Sequence, residues 1–448
     1  MESTLLDRRS GEDRPGGGGA GRKKPRIAIV GSGAAGLSAA FHLRHSCALT
    51  LFEKDAGFGG HAHTFVVPDG PDAGLPLDVG FMVMSEARYP RMSQMLGQLA
   101  GVGFGPSEMS FSYACRVTGQ EYAINRDGAG GAPTFPPVLA SLIGEILRFC
   151  RHATQAVAEN GLGRRTLAEY LVEFGASDAL RDRYVLPMGA ALWSAPPGQI
   201  LRFPADLYLR FFDNHGLLTP AAGLTWQHVR GGAQVYVQAV LAALPDAVLR
   251  NATRVERITR DAEGVTLQVA GSAQPGRFDA VVIATHADQA LALLADADPE
   301  ERALLGPFRY QPNQGVLHWD ADVMPCDPSA WASWNYERES ADSEAPLSVS
   351  YHLNRLQDHR GSTRPYFVTL NRQAPIDPAK TLARFSFEHP VFDLDALDAQ
   401  HALAGRGLRR RTCFAGSYFS RGFHEDAIAS GHAAAQAVGA LVPNGIRP

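Results

Sequence analysis

The sequence predicts an α/β fold in which a Rossmann-like domain is interrupted by a second, α+β domain. Three observations carry this reading. A strand, a glycine turn, a helix and an acid-tipped strand follow one another from residue 26; two later strand-and-helix pieces fit the same sheet; and the stretches between them are dense in aromatic and aliphatic residues.

The first unit is an apolar run at residues 27–30, then Gly31-x-Gly33-x-x-Gly36 opening a helix rich in Ala and Leu, then a second strand ending at Glu53. Gly31 makes the tight turn, Gly33 leaves the backbone open to a pyrophosphate, and Gly36 lets the helix pack closely on the strand. Ser32 and Ala35 belong to the same turn, whose helix N-terminus offers free N–H groups to an anion. Glu53, 22 residues after Gly31, can accept hydrogen bonds from both hydroxyls of an adenosine ribose, with Lys54 beside it. A phosphorylated ribose would be repelled there. The alternative is a tight turn with no ligand, but the ordered context favours a dinucleotide.

Beyond Glu53 a second glycine pair, Gly59-Gly60, is followed by His61 and His63, and then by Asp78-x-Gly80-Phe81-Met82. This pattern resembles the flavin-binding amine oxidase and phytoene desaturase superfamily. The resemblance implies FAD rather than NAD, held in a domain of the GR2 type. It sets the glycine pair beside the pyrophosphate and ribityl chain, and Gly80, Phe81 and Met82 under the isoalloxazine ring. His61 is assigned to the flavin with them, although it and His63 also read as structural polar contacts.

That family closes its FAD domain with downstream sequence, and two pieces here resemble the closures. Residues 229–244 read as a glycine turn and an amphipathic helix, followed by strands at 251–261, 264–270 and 278–285. Val255 takes the position whose backbone meets adenine in relatives. Residues 412–416 read as a short buried strand and 426–441 as the closing helix, whose positive end faces the flavin pyrimidine in relatives. Gly416, Ser417, Glu425, Asp426 and Ala427 are thereby assigned to the flavin. Two departures stand out: Ser417 replaces the acid that usually binds the ribityl chain, and Phe423, His424, Glu425 and Asp426 put bulk where many relatives have small residues. The implied organisation is a disordered tail at 1–25, an FAD-binding domain from 26–85, 226–300 and 405–445, and a substrate domain from 86–225 and 301–404.

Composition bounds the function. Hydrophobic residues at 45% and charged residues at 20% fit an ordinary folded chain, and a net charge of -4 without a long basic run argues against nucleic-acid binding. Five scattered cysteines without a CxxC pair argue against a disulfide framework or a zinc site, and His215, His286 and His318 stand singly, so no metal is expected. Arg8-Arg9 has no hydrophobic stretch behind it, and no run of about twenty apolar residues occurs. A cytoplasmic protein without a spanning helix is the expectation.

Residues 135–150 and 166–174 read as amphipathic helices, the first of which could rest peripherally on the inner membrane or pack inward. Residues 184–218, 315–325 and 331–337 are rich in Met, Leu, Phe and Trp. Next to a flavin this aggregate predicts an apolar pocket for a hydrophobic small molecule or lipid acyl chain, while each ring by itself reads as core. Of four lysines, Lys23 and Lys24 sit in the tail, Lys54 at the ribose and Lys380 in a Pro- and Asp-flanked loop. The lysine that many flavin amine oxidases hold near flavin N5 is therefore expected to be absent.

Segments 187–194, 214–218, 331–336 and 422–426 resemble a bacterial subgroup similar to flavoenzymes acting on unsaturated or methyl-branched fatty acyl chains. The resemblance implies a dehydrogenase or desaturase, in which flavin N5 takes a hydride from an activated carbon and a base takes the neighbouring proton. Returning the hydride to a different carbon would make an isomerase. His424 and Glu425 are the candidate bases, with a flavin contact or capping of the last helix equally open for Glu425. A flavin amine oxidase and a non-catalytic FAD-binding protein are the remaining alternatives.

Overall fold

The computed structural model describes residues 24–126, 133–134, 136–218, 224–342, 345 and 348–442. Residues 1–23 of the expected tail, with Arg8-Arg9, and residues 443–445 of the last domain piece lie outside them.

The central sheet grows from largely apolar runs whose inner strands are buried on both faces. β1 (Arg26–Val30) leads into α1 (Ala34–Leu43) and β2 (Ala48–Phe52), and later segments supply β3 (Val248–Arg250), β4 (Ala280–Ile283) and β5 (Thr412–Phe414). All pair in parallel in the order β3-β2-β1-β4-β5, so three distant parts of the chain build one sheet. Ile27, Ile29, Val281 and Ile283 are wholly buried, as a sheet covered on both faces requires. The closing helix α2 (His424–Val438) crosses α1 so closely that a Cβ on Gly431 would stand 2.1 Å from the Ala35 carbonyl oxygen. Ser38 Oγ seals the crossing by donating to the Ile428 carbonyl at 2.8 Å.

The single strand predicted at 278–285 is two strands. Gly276–Phe278 joins Val255–Arg260 and Val265–Val269 in an antiparallel sheet, whereas β4 joins the parallel one. Asp279 stands at the break: its carboxylate accepts from Arg26 N at 2.7 Å and its own N–H donates to the Arg26 carbonyl at 2.8 Å. Both bonds tie the crossover to the start of β1.

The remaining strands form an eight-stranded mixed sheet, in the order Thr381–Val391, Arg309–His318, Phe367–Leu370, Ser348–His352, Trp334–Arg338, Phe111–Cys115, Gln120–Arg126 and Pro133–Thr134. Trp334–Arg338 and Phe111–Cys115 run parallel and join the 86–225 and 301–404 segments. Helices Ile143–Ala158, Leu167–Phe174, Leu186–Trp193 and Ala205–Asn214 share one core with this sheet. The helix expected from Phe135, which lies outside the described residues, begins only at Ile143, because Pro136 and Pro137 lead into a short 3-10 turn at Pro137–Leu139. Its Ile146, Phe149, Cys150 and Ala153 are buried in the core, so its apolar face is not free to lie on a membrane. Among the described residues no helix is long and apolar enough to cross one.

Candidate functional site

One cavity of about 1590 Å³ runs from the glycine turn after β1 to the helices over the eight-stranded sheet. Ordinary ligand pockets occupy about 300–1,000 Å³, so this one has room for a dinucleotide and a second molecule.

Its nucleotide end is made of backbone. Gly31 adopts a φ of +99°, and a Cβ there would stand 2.7 Å from the Ala284 carbonyl oxygen; a Cβ on Gly36 would stand 1.9 Å from that of Gly31. Gly33 differs: nothing lies within 4 Å of its Cβ position. It lines the cavity, and no side chain caps α1, which leaves the N–H groups of its first turn for an anion. A pyrophosphate fits this cradle. Glu53 closes it, with Oε2 accepting from Ser32 N at 3.0 Å and Ser32 Oγ at 2.6 Å, and Oε1 from Asp55 N at 3.0 Å. These bonds fix the carboxylate at the wall and leave lone pairs for ribose hydroxyls.

The structure brings most of the sequence-predicted residues together. Gly31, Ser32, Gly33, Ala35, Glu53, Lys54, Gly60, His61, Gly80, Phe81, Met82, Val255, Gly416, Ser417, His424 and Ala427 all line the cavity. Lys54 holds its ammonium on Asp55 at 2.7 Å and is largely exposed. His61 keeps a buried Nε2 without a protein partner among the described residues, which suits a polar atom of a bound ligand. Gly36 and Gly59 stand behind the wall and shape it, Gly59 through a φ of +120° and an N–H donated to the Ser32 carbonyl at 3.2 Å.

Glu425 and Asp426 require correction, because neither lines the cavity. The two oxygens of Glu425 accept from Arg91 N at 2.8 Å and Met92 N at 3.0 Å, capping the helix Pro90–Leu96. Asp426 accepts from Phe423 N at 2.9 Å and Arg421 N at 3.2 Å, capping its own helix. Unsatisfied N–H groups at the two helix starts outcompete the flavin for these carboxylates.

His424 does reach the cavity, in a different role from the one expected. Its ring stacks on Phe81 with centroids 3.9 Å apart, and its Nε2 lies 2.6 Å from the Tyr236 hydroxyl. Tyr236 is fully buried and has no other side-chain hydrogen bond among the described residues, so its O–H donates and Nε2 accepts. Burial drives the imidazole pKa down to about 3. The neutral ring paired in this way carries its proton on Nδ1, which has no protein partner among the described residues and can donate a hydrogen bond.

Sequence reasoning missed Tyr236 and the anchoring role of Asp78. Asp78 Oδ1 accepts from Thr64 Oγ1 at 2.6 Å and Ala233 N at 2.8 Å, and Gln357 brackets its backbone, accepting from N at 2.9 Å and donating to O at 3.0 Å. This network seats the helix Gln234–Ala242 that carries Tyr236. Tyr236 reads only as part of the amphipathic helix after residue 229 and Asp78 only as part of the motif assigned to the isoalloxazine, and partners more than 150 positions away leave no local trace.

The far end is made of side chains: Met109, Phe111, Leu147, Met188, Leu192, Trp193, Phe211, Trp226, Trp334, Tyr351 and Phe385 among others. Of the carboxylates lining the cavity, Glu53, Asp55 and Glu256 belong to the nucleotide end, and Glu388 pairs with His286 at 3.4 Å. Its one lysine is Lys54; Lys380 lies elsewhere, bonded to Asp320 at 2.8 Å.

Comparison with known proteins places this architecture. Residues 34–316, more than half of the chain, match the family model described as flavin containing amine oxidoreductase. Cyclohexylamine oxidase from Brevibacterium oxydans superposes with a TM-score of 0.68 at 17% identity, covering 93% of this chain and 98% of that one. A fatty acid isomerase from P. acnes that produces CLA gives 0.66 at 17% identity, covering 91% and 97%. Putrescine oxidase bound to putrescine gives 0.67 at 14% identity, covering 92% and 98%. No curated protein matches the chain in sequence. With its glycine cradle, ribose-facing Glu53 and closing helix, the chain belongs to the flavin containing amine oxidoreductase family and is an FAD-dependent oxidoreductase.

Proposed function

We propose that the protein is an FAD-dependent dehydrogenase or desaturase of unsaturated or methyl-branched fatty acyl chains. The observation that carries this reading is the apolar end of the cavity, where Met, Leu, Phe and Trp side chains converge with, among the described residues, no lysine and no carboxylate to meet a cationic amine. FAD, when bound, accepts the hydride. The chain's own residues bind the cofactor and orient the substrate. Gly31, Gly33 and the free start of α1 hold the pyrophosphate, Glu53 the ribose, and His61 and the Nδ1–H of His424 offer polar contacts to the flavin. The hydrophobic walls exclude water and orient a hydrocarbon against the ring.

A fatty acid isomerase among the structural neighbours is compatible with an acyl chain, and amine oxidases share the same fold, so the lining rather than the fold carries the reading. The double-bond isomerase is a second reading with its own support. Glu425 is committed to a helix start and His424 Nε2 to Tyr236, which leaves the flavin end without a free carboxylate base among the described residues, and an isomerase that returns the hydride dispenses with a permanent one. Mass analysis of phospholipids with unsaturated and methyl-branched chains after anaerobic incubation separates the two. Loss of two hydrogens supports the dehydrogenase; an unchanged mass with a displaced double bond supports the isomerase; intact lipids with oxidised amines overturn both.

A further inference from the structure

His215 ends the helix Ala205–Asn214 and lines the main cavity among the aromatic side chains of its apolar end. Its ring centroid lies 3.8 Å from that of Phe211, 6.1 Å from Trp226 and 6.2 Å from Phe423. Its Nδ1 stands 2.9 Å from the Phe211 carbonyl oxygen. A carbonyl only accepts, so in the neutral ring Nδ1 carries the proton and Nε2 the lone pair. Nε2 has no protein partner among the described residues and keeps accessible surface in a ring that is only partly buried. Burial lowers the imidazole pKa to about 4, against the bond to Phe211 and with Arg421 and Arg88 nearby, so that lone pair is free at neutral pH.

The flanking rings tie His215 to the flavin end. Phe423 directly precedes His424, whose ring stacks on Phe81. Trp226 precedes Gln227, which exchanges both backbone hydrogen bonds with Met84 at 2.8 Å, two residues past Met82. Phe81 and Met82 form the segment expected under the isoalloxazine ring, and both line the cavity. His215 thus stands where a hydrocarbon in the apolar end meets that ring.

We propose that His215 is the catalytic base of the dehydrogenation. Its Nε2 takes the proton from one carbon of the acyl chain as the hydride leaves the neighbouring carbon for the flavin. Two C–H bonds break, one C=C bond forms, two electrons pass to the flavin and the proton stays on the imidazole. The imidazolium is stabilised by the Phe211 carbonyl at the negative end of the helix. This assignment rests on the acyl dehydrogenase reading above and deepens it by naming the group that receives the proton.

Stopped-flow flavin reduction tests it, with the FAD-loaded protein mixed anaerobically with phospholipids and free fatty acids carrying unsaturated or methyl-branched chains. His215→Gln keeps an N–H for the Phe211 carbonyl and loses the basic lone pair. It should slow reduction by about a hundredfold or more, the worth of a positioned base, while flavin content, reduction by dithionite and the lipid-induced change in the oxidised band stay as in wild type. If His215→Gln loses flavin, His215→Asn, which suits a helix C-terminus, takes its place. In His215→Gly, free imidazole should restore part of the rate in proportion to its concentration, a rescue that a purely structural ring would not show. A rate close to that of wild type in His215→Gln, or a slow His215→Gly that imidazole does not rescue, overturns the base and leaves the acyl reading standing. Wild type that no lipid reduces overturns the dehydrogenase reading and the base with it.

Discussion

The two ends of the cavity are built from different material. At the nucleotide end the recognising groups are backbone N–H groups, one carboxylate and the absence of Cβ atoms at Gly31, Gly33 and Gly36. At the apolar end they are side chains drawn from helices and strands spread across the chain. The contrast teaches where each end is vulnerable. The first fails when one atom is added, and the second changes its selectivity when a side chain changes while the cofactor stays in place.

Breaking the nucleotide end should give the largest effect. Gly31→Ala sets a Cβ against the Ala284 carbonyl in a left-handed conformation, a strain of about 1–3 kcal/mol before any clash is relieved. The purified variant should carry little flavin by its absorbance ratio at 450 and 280 nm, on the order of the visible flavin band. Full flavin content would contradict a cradle built from missing Cβ atoms.

Acid should come next, because the cavity is walled by neutral imidazoles. Burial holds His61 and His424 at about 3, and His215 and His389 at about 4. Each binds a proton near 6.5 in the unfolded chain, so the stability it contributes is present above about pH 6.5 and is lost as pH falls through the folded value. Asp78 works in the opposite sense: burial raises it to about 7, so its contribution is present below about pH 4 and lost as pH rises through 7. Melting temperature should therefore fall from pH 7 to pH 5, and Asp78→Asn should steepen the fall. A flat profile in both proteins would show that these groups are solvated.

Tyr236→Phe sharpens the comparison at the boundary between the two ends. It removes the donor to His424 Nε2, at a cost of about 1 kcal/mol in stability, and frees the imidazole tautomer. Flavin content should stay near normal while flavin reduction slows by about tenfold, with KM little changed. An unchanged rate would make the Tyr236 contact purely structural. Smallest of all, Leu147→Phe in the apolar wall should leave flavin content and melting temperature unaltered and raise KM for the longest acyl chains by about tenfold or less.

The same contrast explains what was legible in the sequence. The glycine cradle, Glu53 and the order of the closing pieces could be read because their chemistry lies within about thirty residues or in short buried strands. The reach of Glu425 to the helix Pro90–Leu96, 334 positions from Arg91, could not, since no local pattern records which helix start a carboxylate will cap. Tyr236 was hidden for a related reason: at a helical core position a tyrosine looks like packing until its hydroxyl finds a partner. The split of 278–285 into two strands hinges on Asp279, whose role appears only when Arg26 lies beside it. The apolar end was legible as an aggregate of aromatics and not residue by residue.

The measurement that tests the account most directly is the anaerobic flavin spectrum of the purified protein, titrated with bacterial phospholipids and free fatty acids carrying unsaturated or methyl-branched chains, beside an equal series of amines. The account predicts bleaching, or a saturable perturbation of the oxidised band, with the lipids and none with the amines. Bleaching by amines alone would contradict it.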